Sequence, residues 1–283
     1  MLRLILLFFL LFIHTSVSAQ NDIQYTSEDS TKIVELIDNG IKQYKKTNII
    51  LYYARMLKNI PYVANTLERN EEEKLVVNIH QLDCTTYVEN VCALYLCTKN
   101  GKKQFKDFCN YLRLLRYENG NISYPQRLHY FSQWIENNNQ KGFVYEIKTT
   151  DPPFSGEQKL NINYMSKHPD LYPAFNKHPE LVNDIKNMER TLCGKIYKYI
   201  PKEILHNKNI IKKAINDGDI IAIVTNKAGL DTSHIGIAIW HDDGVHLLNA
   251  STIHKKVVEE PMTLYNYMKK HPSQIGIRVI RMF

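Results

Sequence analysis

The spacing of hydrophobic and polar positions changes once along the chain, about two thirds of the way through. Between residues 28 and 58 apolar side chains recur at helical spacing (Ile33, Leu36, Ile37, Ile41, Tyr44), and a second helix is expected over Ile49–Lys58. Residues 59–83 read as a loop with a short extended piece, Leu75-Val76-Val77. From Cys84 the helical pattern returns, with Val88, Val91, Cys92, Tyr95 and Leu96 one or two turns apart. Lys103–Tyr117 reads as another helix. Residues 118–165 are mixed and carry a DPPFSG turn at Asp151–Gly156; residues 165–192 read as helical pieces broken by Pro169, Pro173 and Pro179. The last third is different: GDIIAIVT, HIGIAIW, VHLLNAS and GIRVIRMF are short β-rich runs separated by turn signals. Helices first and strands last, with no internal repeat, predict an α+β fold.

The first residues, MLRLILLFFLLFIHTSVSAQ, belong to a different kind of segment. Arg3 precedes an apolar run from Leu4 to Ile13, and Val17 and Ala19 suit the small-residue positions of a cleavage site. This predicts a secretory signal peptide over residues 1–19, because a membrane span needs about 20 apolar residues. No later stretch is long and apolar enough to cross a bilayer. Residues 20–283 are expected to be exported, to the periplasm, as one domain with a helical N-terminal portion, acting as a monomer. The hydrophobic share of 44% is ordinary for such a domain. The net charge of +7, lowered by one when Arg3 leaves, is spread along the chain with small clusters such as Lys45-Lys46 and Lys212-Lys213. No Arg-rich helix or aromatic–basic interleaving points to nucleic acid. A mild positive field suits an anionic polymer such as a bacterial wall.

The cysteines at 84, 92, 97, 109 and 193 are odd in number and form no CxxC pair, which argues against a zinc ribbon or a thioredoxin-like motif. In an oxidising compartment at most two disulfides form and one thiol remains. Cys84 has a special place: Asp83 suits a helix N-cap, and Cys84 is then the first helical residue, where the helix dipole is expected to lower the thiol pKa. A buried structural cysteine beside a capping aspartate is the plainer alternative. A nucleophilic thiol needs a base. Of the 11 histidines, His168, His178 and His271 precede prolines, and His241 and His254 fall at turns or edges. His234 opens a strand directly after the polar loop GLDTS. With Ile235, Ile237 and Ile239 facing the core, His234, Gly236 and Ala238 face the other way, leaving room for a ligand or another element. If Trp240 pairs with Val245, Gly236 lies opposite Asn249, which is then diagonal to His234 on the same face; a one-residue slip brings in His246 instead.

Asp-Cys at a helix start, His at a strand start and a polar residue on the next strand together resemble the NlpC-type branch of papain-like cysteine hydrolases, which cut bacterial cell-wall peptides. NIPYVANTL followed by LDC, and DGDIIAI followed by SHIGIAI, carry that likeness. LDCTTYVENVCAL, RLHYFSQWI, IPK, GLDTSHIGIAI, LLNAS and GIRVIR are similar to the hallmarks of one subfamily, the N-acetylmuramoyl-L-alanine amidase-like proteins, over roughly Leu51–Phe283.

The resemblance implies a papain-like fold, with the nucleophile helix packed on a mainly antiparallel sheet and additional helices. It also implies an amidase acting between muramic acid and L-alanine in peptidoglycan fragments, with no cofactor and no metal. By position Cys84 matches the nucleophile, His234 the general base and Asn249 the residue orienting the imidazole, where relatives are expected to carry His in HAS. Tyr62 matches a tyrosine near the nucleophile. Asp83 is expected to cap the helix and to contact substrate, Ser233 and Asp231 to line the peptide side of the cleft, and Arg127, His129, Tyr130 and Trp134 to offer surface for sugar stacking and carboxylate pairing. Three rivals stand beside this reading: a cysteine endopeptidase cutting within the stem peptide, a zinc amidase, which the absence of HExxH disfavours, and a non-catalytic wall-binding protein.

Overall fold

The structure, a computed structural model, describes residues 22–149 and 152–283. The expected signal peptide at 1–19 and the first residue of the DPPFSG turn lie outside them.

The helices are α1 (Ser27–Gln43), α2 (Ile49–Met56), α3 (Cys84–Lys99), α4 (Phe105–Arg116), α5 (Phe131–Gln140), α6 (Tyr164–Lys167), α7 (Pro173–Lys177), α8 (Leu181–Leu192), α9 (Lys208–Ile211) and α10 (Leu264–Lys269). The strands are β1 (Ile23–Gln24), β2 (Leu75–Val76), β3 (Val144–Ile147), β4 (Gly156–Lys159), β5 (Ile196–Pro201), β6 (Ile220–Thr225), β7 (Thr232–His241), β8 (Gly244–Ser251), β9 (Lys256–Glu259) and β10 (Gln274–Met282). β1 and β2 pair in parallel. Among the described residues the others form one antiparallel sheet in the order β4-β5-β10-β6-β7-β8-β9, with β3 also on β10. The fold is α+β, as the sequence predicts. The four expected strands are β6, β7, β8 and β10; β3 (VYEI), β4 (GEQK) and β9 (KVVE) are four residues long, too short for alternation to stand out, and β5 (IYKYIP) follows closely on the proline-broken helical stretch.

α3 is the central helix. From Cys84 to Thr98 its only charged residue is Glu89, and a helix without a polar face has to be covered on every side. One side packs on β7 and β8, and α1, α2 and α4 cover the rest. Glu89, deep inside, is matched by Arg116 of α4, whose Nε donates to it at 2.7 Å while Nη1 donates to the Val76 carbonyl at 2.7 Å. Removing one partner of such a buried pair typically costs about 3–5 kcal/mol.

The sheet is buried on both faces. Ile235, Ile237, Ile239, Leu248 and Ala250 join the α3 side, whereas Ala238, Val245, Leu247 and Val279 pack against Leu264, Tyr267 and Met268 of α10. This explains the uninterrupted apolar run of β6, every residue of which is buried. It also corrects the expectation that Gly236 and Ala238 leave open space. A Cβ on Gly236 would lie 2.7 Å from the Leu248 carbonyl oxygen and 2.8 Å from the Leu247 side chain. The glycine is there because the neighbouring strand is close. A third apolar cluster joins Tyr124 and Tyr130 to α6, α7 and α8.

Candidate active site

The start of α3 is built by its own sequence. Asp83 caps the helix, accepting from the Thr86 N–H at 2.8 Å, while the Asp83 N–H donates to Thr86 Oγ1 at 2.9 Å. This capping box makes Cys84 the first helical residue. Just upstream, Leu82 is gripped by the 61–63 segment: its N–H donates to the Pro61 carbonyl at 3.0 Å, and Val63 N–H donates to the Leu82 carbonyl at 3.1 Å. That pairing sets Tyr62 beside Asp83 and Cys84, whose negative forms, after burial, help push the phenol up to about 12.

β7 approaches from the other direction. Val224 pairs with Thr232 and Ile223 with His234, so Ser233 is an extra residue, a bulge at the edge of the ladder. Bulges bend a strand and re-aim the side chains beside them. Ser233 is exposed, and Ser233, His234 and Ile235 all border a cavity of about 170 Å³ whose other lining residues include Cys84, Thr85, His129, Phe131 and Asp231. Larger clefts, of about 310, 700, 380 and 250 Å³, lie elsewhere and have no cysteine in their lining.

The register is the expected one, with Trp240 opposite Val245 and Ile237 opposite Leu248. Asn249 is fully buried, and its Oδ1 lies 2.9 Å from His234 Nε2. An amide oxygen only accepts, so Nε2 carries the hydrogen and Nδ1 is left as the acceptor nitrogen of the ring. His246 points elsewhere, with Nδ1 on the Glu260 carbonyl and Nε2 on Asp243, each at 2.8 Å. The Tyr267 ring of α10 covers the His234 ring at 6.3 Å between centroids. The sequence reading missed Tyr267 and, beyond Asn249, the buried Glu260. A signal for Glu260 existed: Asn249 pairs with Val258, so the strand period puts residue 260 on the Asn249 face.

Electrostatics reverse one expectation. The helix dipole predicted a depressed Cys84 thiol. Burial, then the Asp83 carboxylate, push it up to about 12, and contacts with the Ile235 backbone and with Thr85 offset this only in part. Burial also lowers His234 below its ordinary value, against the opposing pull of Asn249 and Glu260. The resting pair is therefore a neutral thiol and a neutral imidazole. A neutral thiol has a measurable consequence: alkylation of Cys84 by iodoacetamide should climb about tenfold per pH unit through the neutral and mildly alkaline range. An early plateau near pH 7 would mean that a thiolate–imidazolium pair is preformed instead.

Several expected substrate contacts are committed to the protein. Arg127 is buried, paired with Glu68 and lying 3.6 Å from Glu73, and stacks over Tyr124. Tyr130 is buried and donates to Glu189 at 2.7 Å. Trp134 is fully buried and stacks on Phe131 with ring centroids 4.8 Å apart. None of the three lines the cavity; apolar packing and ion pairing took side chains that looked suited to a sugar. Asp231 does line it, but its carboxylate accepts from Ser132 N–H at 2.6 Å and Thr232 N–H at 2.7 Å, tying α5 to β7. His129 lines it too. Its Nε2 lies 2.7 Å from the Tyr124 carbonyl, and burial with Arg127 nearby drops its pKa to about 3, so it is a neutral wall residue. All five cysteines are free thiols: Cys92, Cys97 and Cys109 are buried and Cys193 is exposed. Among the described residues no group of three or more His, Cys, Asp or Glu is arranged to hold a metal, and no helix is long and apolar enough to cross a membrane.

The N-acetylmuramoyl-L-alanine amidase-like (AmiA-like) family model matches residues 52–277, which take in both the α3 start and the β7–β8 pair. The chain belongs to this family. A solved structure named N-acetylmuramoyl-L-alanine amidase, from Bacteroides uniformis, is 39% identical, with a TM-score of 0.77 over 87% of this chain and 99% of that one. A Bacteroides fragilis structure carrying a provisional xylanase name is 40% identical, with a TM-score of 0.76 over 82% of this chain and all of the other (100%). A Legionella pneumophila protein, at 22% identity and a TM-score of 0.68 over 90% and 95% of the two chains, shares the fold. No curated protein matches.

Proposed function

We propose that this family member is a cysteine amidase of papain-like, NlpC-type architecture. It hydrolyses the amide between the lactyl group of N-acetylmuramic acid and L-alanine in peptidoglycan fragments. The observation that carries the reading is that His234 borders the same cavity as Cys84 at the head of α3, while the buried Asn249 holds the imidazole from behind at 2.9 Å. The family supplies the bond; the three side chains supply the chemistry.

His234 Nδ1 takes the thiol proton as Cys84 Sγ attacks the lactyl carbonyl carbon. The Cys84 N–H, left without an intrahelical partner at the helix start, donates to the oxyanion. The amide C–N bond then breaks as His234 hands the proton to the departing amine of L-alanine. Water attacks the thioester, His234 takes its proton and returns it to the thiol, and the free sugar acid leaves. A cavity of about 170 Å³ suits the reacting amide and its immediate substituents, whereas whole small-molecule sites usually run to about 300–1,000 Å³. Sugar and stem peptide would extend along the rim, past Ser233 and His129 on one side and Tyr62 on the other. The leader predicted at 1–19 fits action outside the cytoplasm, in one domain spanning residues 20–283.

A glycosidase, as the provisional name of one neighbour suggests for that protein, needs two carboxyl groups flanking the bond. Here Asp83 caps α3 and Asp231 is held by two backbone N–H groups. An endopeptidase cutting inside the stem would use the same three residues, so product identity decides. Mass spectrometry of a defined muropeptide after digestion should show free muramic-acid saccharide and a stem beginning with L-alanine. Fragments cut within the stem would replace this reading by the endopeptidase one, and cut glycan with intact stems would replace it by a glycosidase.

A further inference from the structure

The hydrogen-bonded line that starts at His234 does not stop at Asn249. Asn249 Nδ2 donates to Glu260 Oε1 at 3.0 Å, and Glu260 Oε2 lies 3.2 Å from His254 Nε2. Glu260 is 2% exposed. Its backbone is fixed from two sides: its N–H donates to the Leu247 carbonyl at 2.9 Å, and its carbonyl meets His246 Nδ1 at 2.8 Å. Among the described residues its one ion pair is with His254, which is partly exposed.

A side-chain amide presents an acceptor on one end and donors on the other, and either end could face an imidazole. A carboxylate accepts only, so it must meet Nδ2, and that turns Oδ1 toward the ring. We propose that Glu260 is a positioning residue of this site: it locks the Asn249 amide so that Oδ1 holds His234 by Nε2–H, and it supplies, one residue removed, the negative charge that balances the imidazolium formed during turnover. In serine triads an aspartate does both jobs by direct contact with the imidazole. Here the two are divided between an uncharged contact and a buried charge behind it. The proposal rests on the reading of Cys84 and His234 as the reacting pair.

The groups facing His234 come from four segments. Cys84 and Asp83 stand at the head of α3, Asn249 on β8, Glu260 just after β9, and Tyr267 and His271 on and after α10. Glu260 and Asp83 favour the imidazolium, whereas His271 disfavours it. Glu260 itself is faced by Asn249, His254 and Tyr267. Removing the charge of Glu260 while keeping its shape should therefore make His234 harder to protonate.

The test is Glu260→Gln in the whole protein, whose amide oxygen can still accept from Asn249 Nδ2. Expected are a kcat lowered by about tenfold, part of the 10²–10⁴ that general acid–base catalysis contributes, a KM close to that of the wild type, and a His234 titration shifted to lower pH. The titration is read by nitrogen NMR of the imidazoles, with the His234 signal assigned by its loss in His234→Ala. Unchanged kcat together with an unchanged His234 titration would overturn the proposal. If Glu260→Gln does not fold, the wild-type spectrum decides: an Nε2–H tautomer at His234 supports the locked amide, and an Nδ1–H tautomer overturns it. The NMR arm needs no substrate, so a wild-type protein that cleaves no muropeptide would sink the proposed function separately.

Discussion

Cys84→Ala should abolish muropeptide hydrolysis and leave the protein folded. The thiol is the nucleophile of the proposed mechanism, and loss of the nucleophile from a covalent triad costs on the order of 10⁶ in kcat. The fold should hardly notice. The capping box that starts α3 uses Asp83 and Thr86, not the Cys84 side chain. Cys84 is only half-buried, so losing its sulfur should cost about 1 kcal/mol, near the average for a point substitution. Steady-state rates on one defined muropeptide, set beside thermal melting curves, check both halves. A folded variant that keeps even a tenth of the rate would remove the cysteine mechanism.

The second large effect is expected at His234. His234→Ala removes both the base that takes the thiol proton and the acid that serves the leaving amine. Its rate should fall by about 10²–10⁴, the span of general acid–base contributions. Asn249→Ala should cost less, because it removes orientation and leaves the imidazole in place beneath Tyr267. Asn249→His should keep appreciable activity, since an imidazole there can accept from His234 and donate toward Glu260. His246→Ala should cost less than Asn249→Ala, because His246 meets Asp243 and the Glu260 carbonyl rather than His234 and touches the site only through the Glu260 backbone. Rates of the four variants on the same substrate give the comparison. A dead His246→Ala beside a normal Asn249→Ala would make His246 the orienting residue.

The pH dependence of the wild type follows from the same pair. His234 must be neutral to take the thiol proton, and burial lowers its pKa below the ordinary value. Rate should therefore rise with pH as His234 loses its proton, with a midpoint below about 6.5, the ordinary histidine value. It should then stay level across the neutral range, because the thiol does not ionise until about 12. A kcat/KM profile that rises through pH 8–9 instead would show that free thiolate limits the reaction.

The sequence by itself determined what depends on neighbours along the chain. Asp83 and Thr86 are three residues apart, so the capping box, and with it the placing of Cys84 at the first turn of α3, is a local matter. The alternation and turn signals from Ile220 to Ser251 announced β6, β7 and β8 and left two registers, with Asn249 or His246 toward His234; the structure pairs Trp240 with Val245, which brings Asn249 to His234. What only the tertiary structure decided depends on what comes to lie on top. Arg127, Tyr130 and Trp134 have the chemistry of a sugar site, yet Glu68, Glu189 and Phe131 meet them and take them out of it. Gly236 and Ala238 suggested open space until Leu247 and α10 filled it. The Cys84 thiol pKa was read from a helix end that lowers it, but burial and the carboxylate of its own N-cap raise it. Glu260, eleven residues beyond Asn249, joins the site through the β8–β9 pairing. Burial and charge balance are sums over elements distant in sequence, and no local pattern carries those sums.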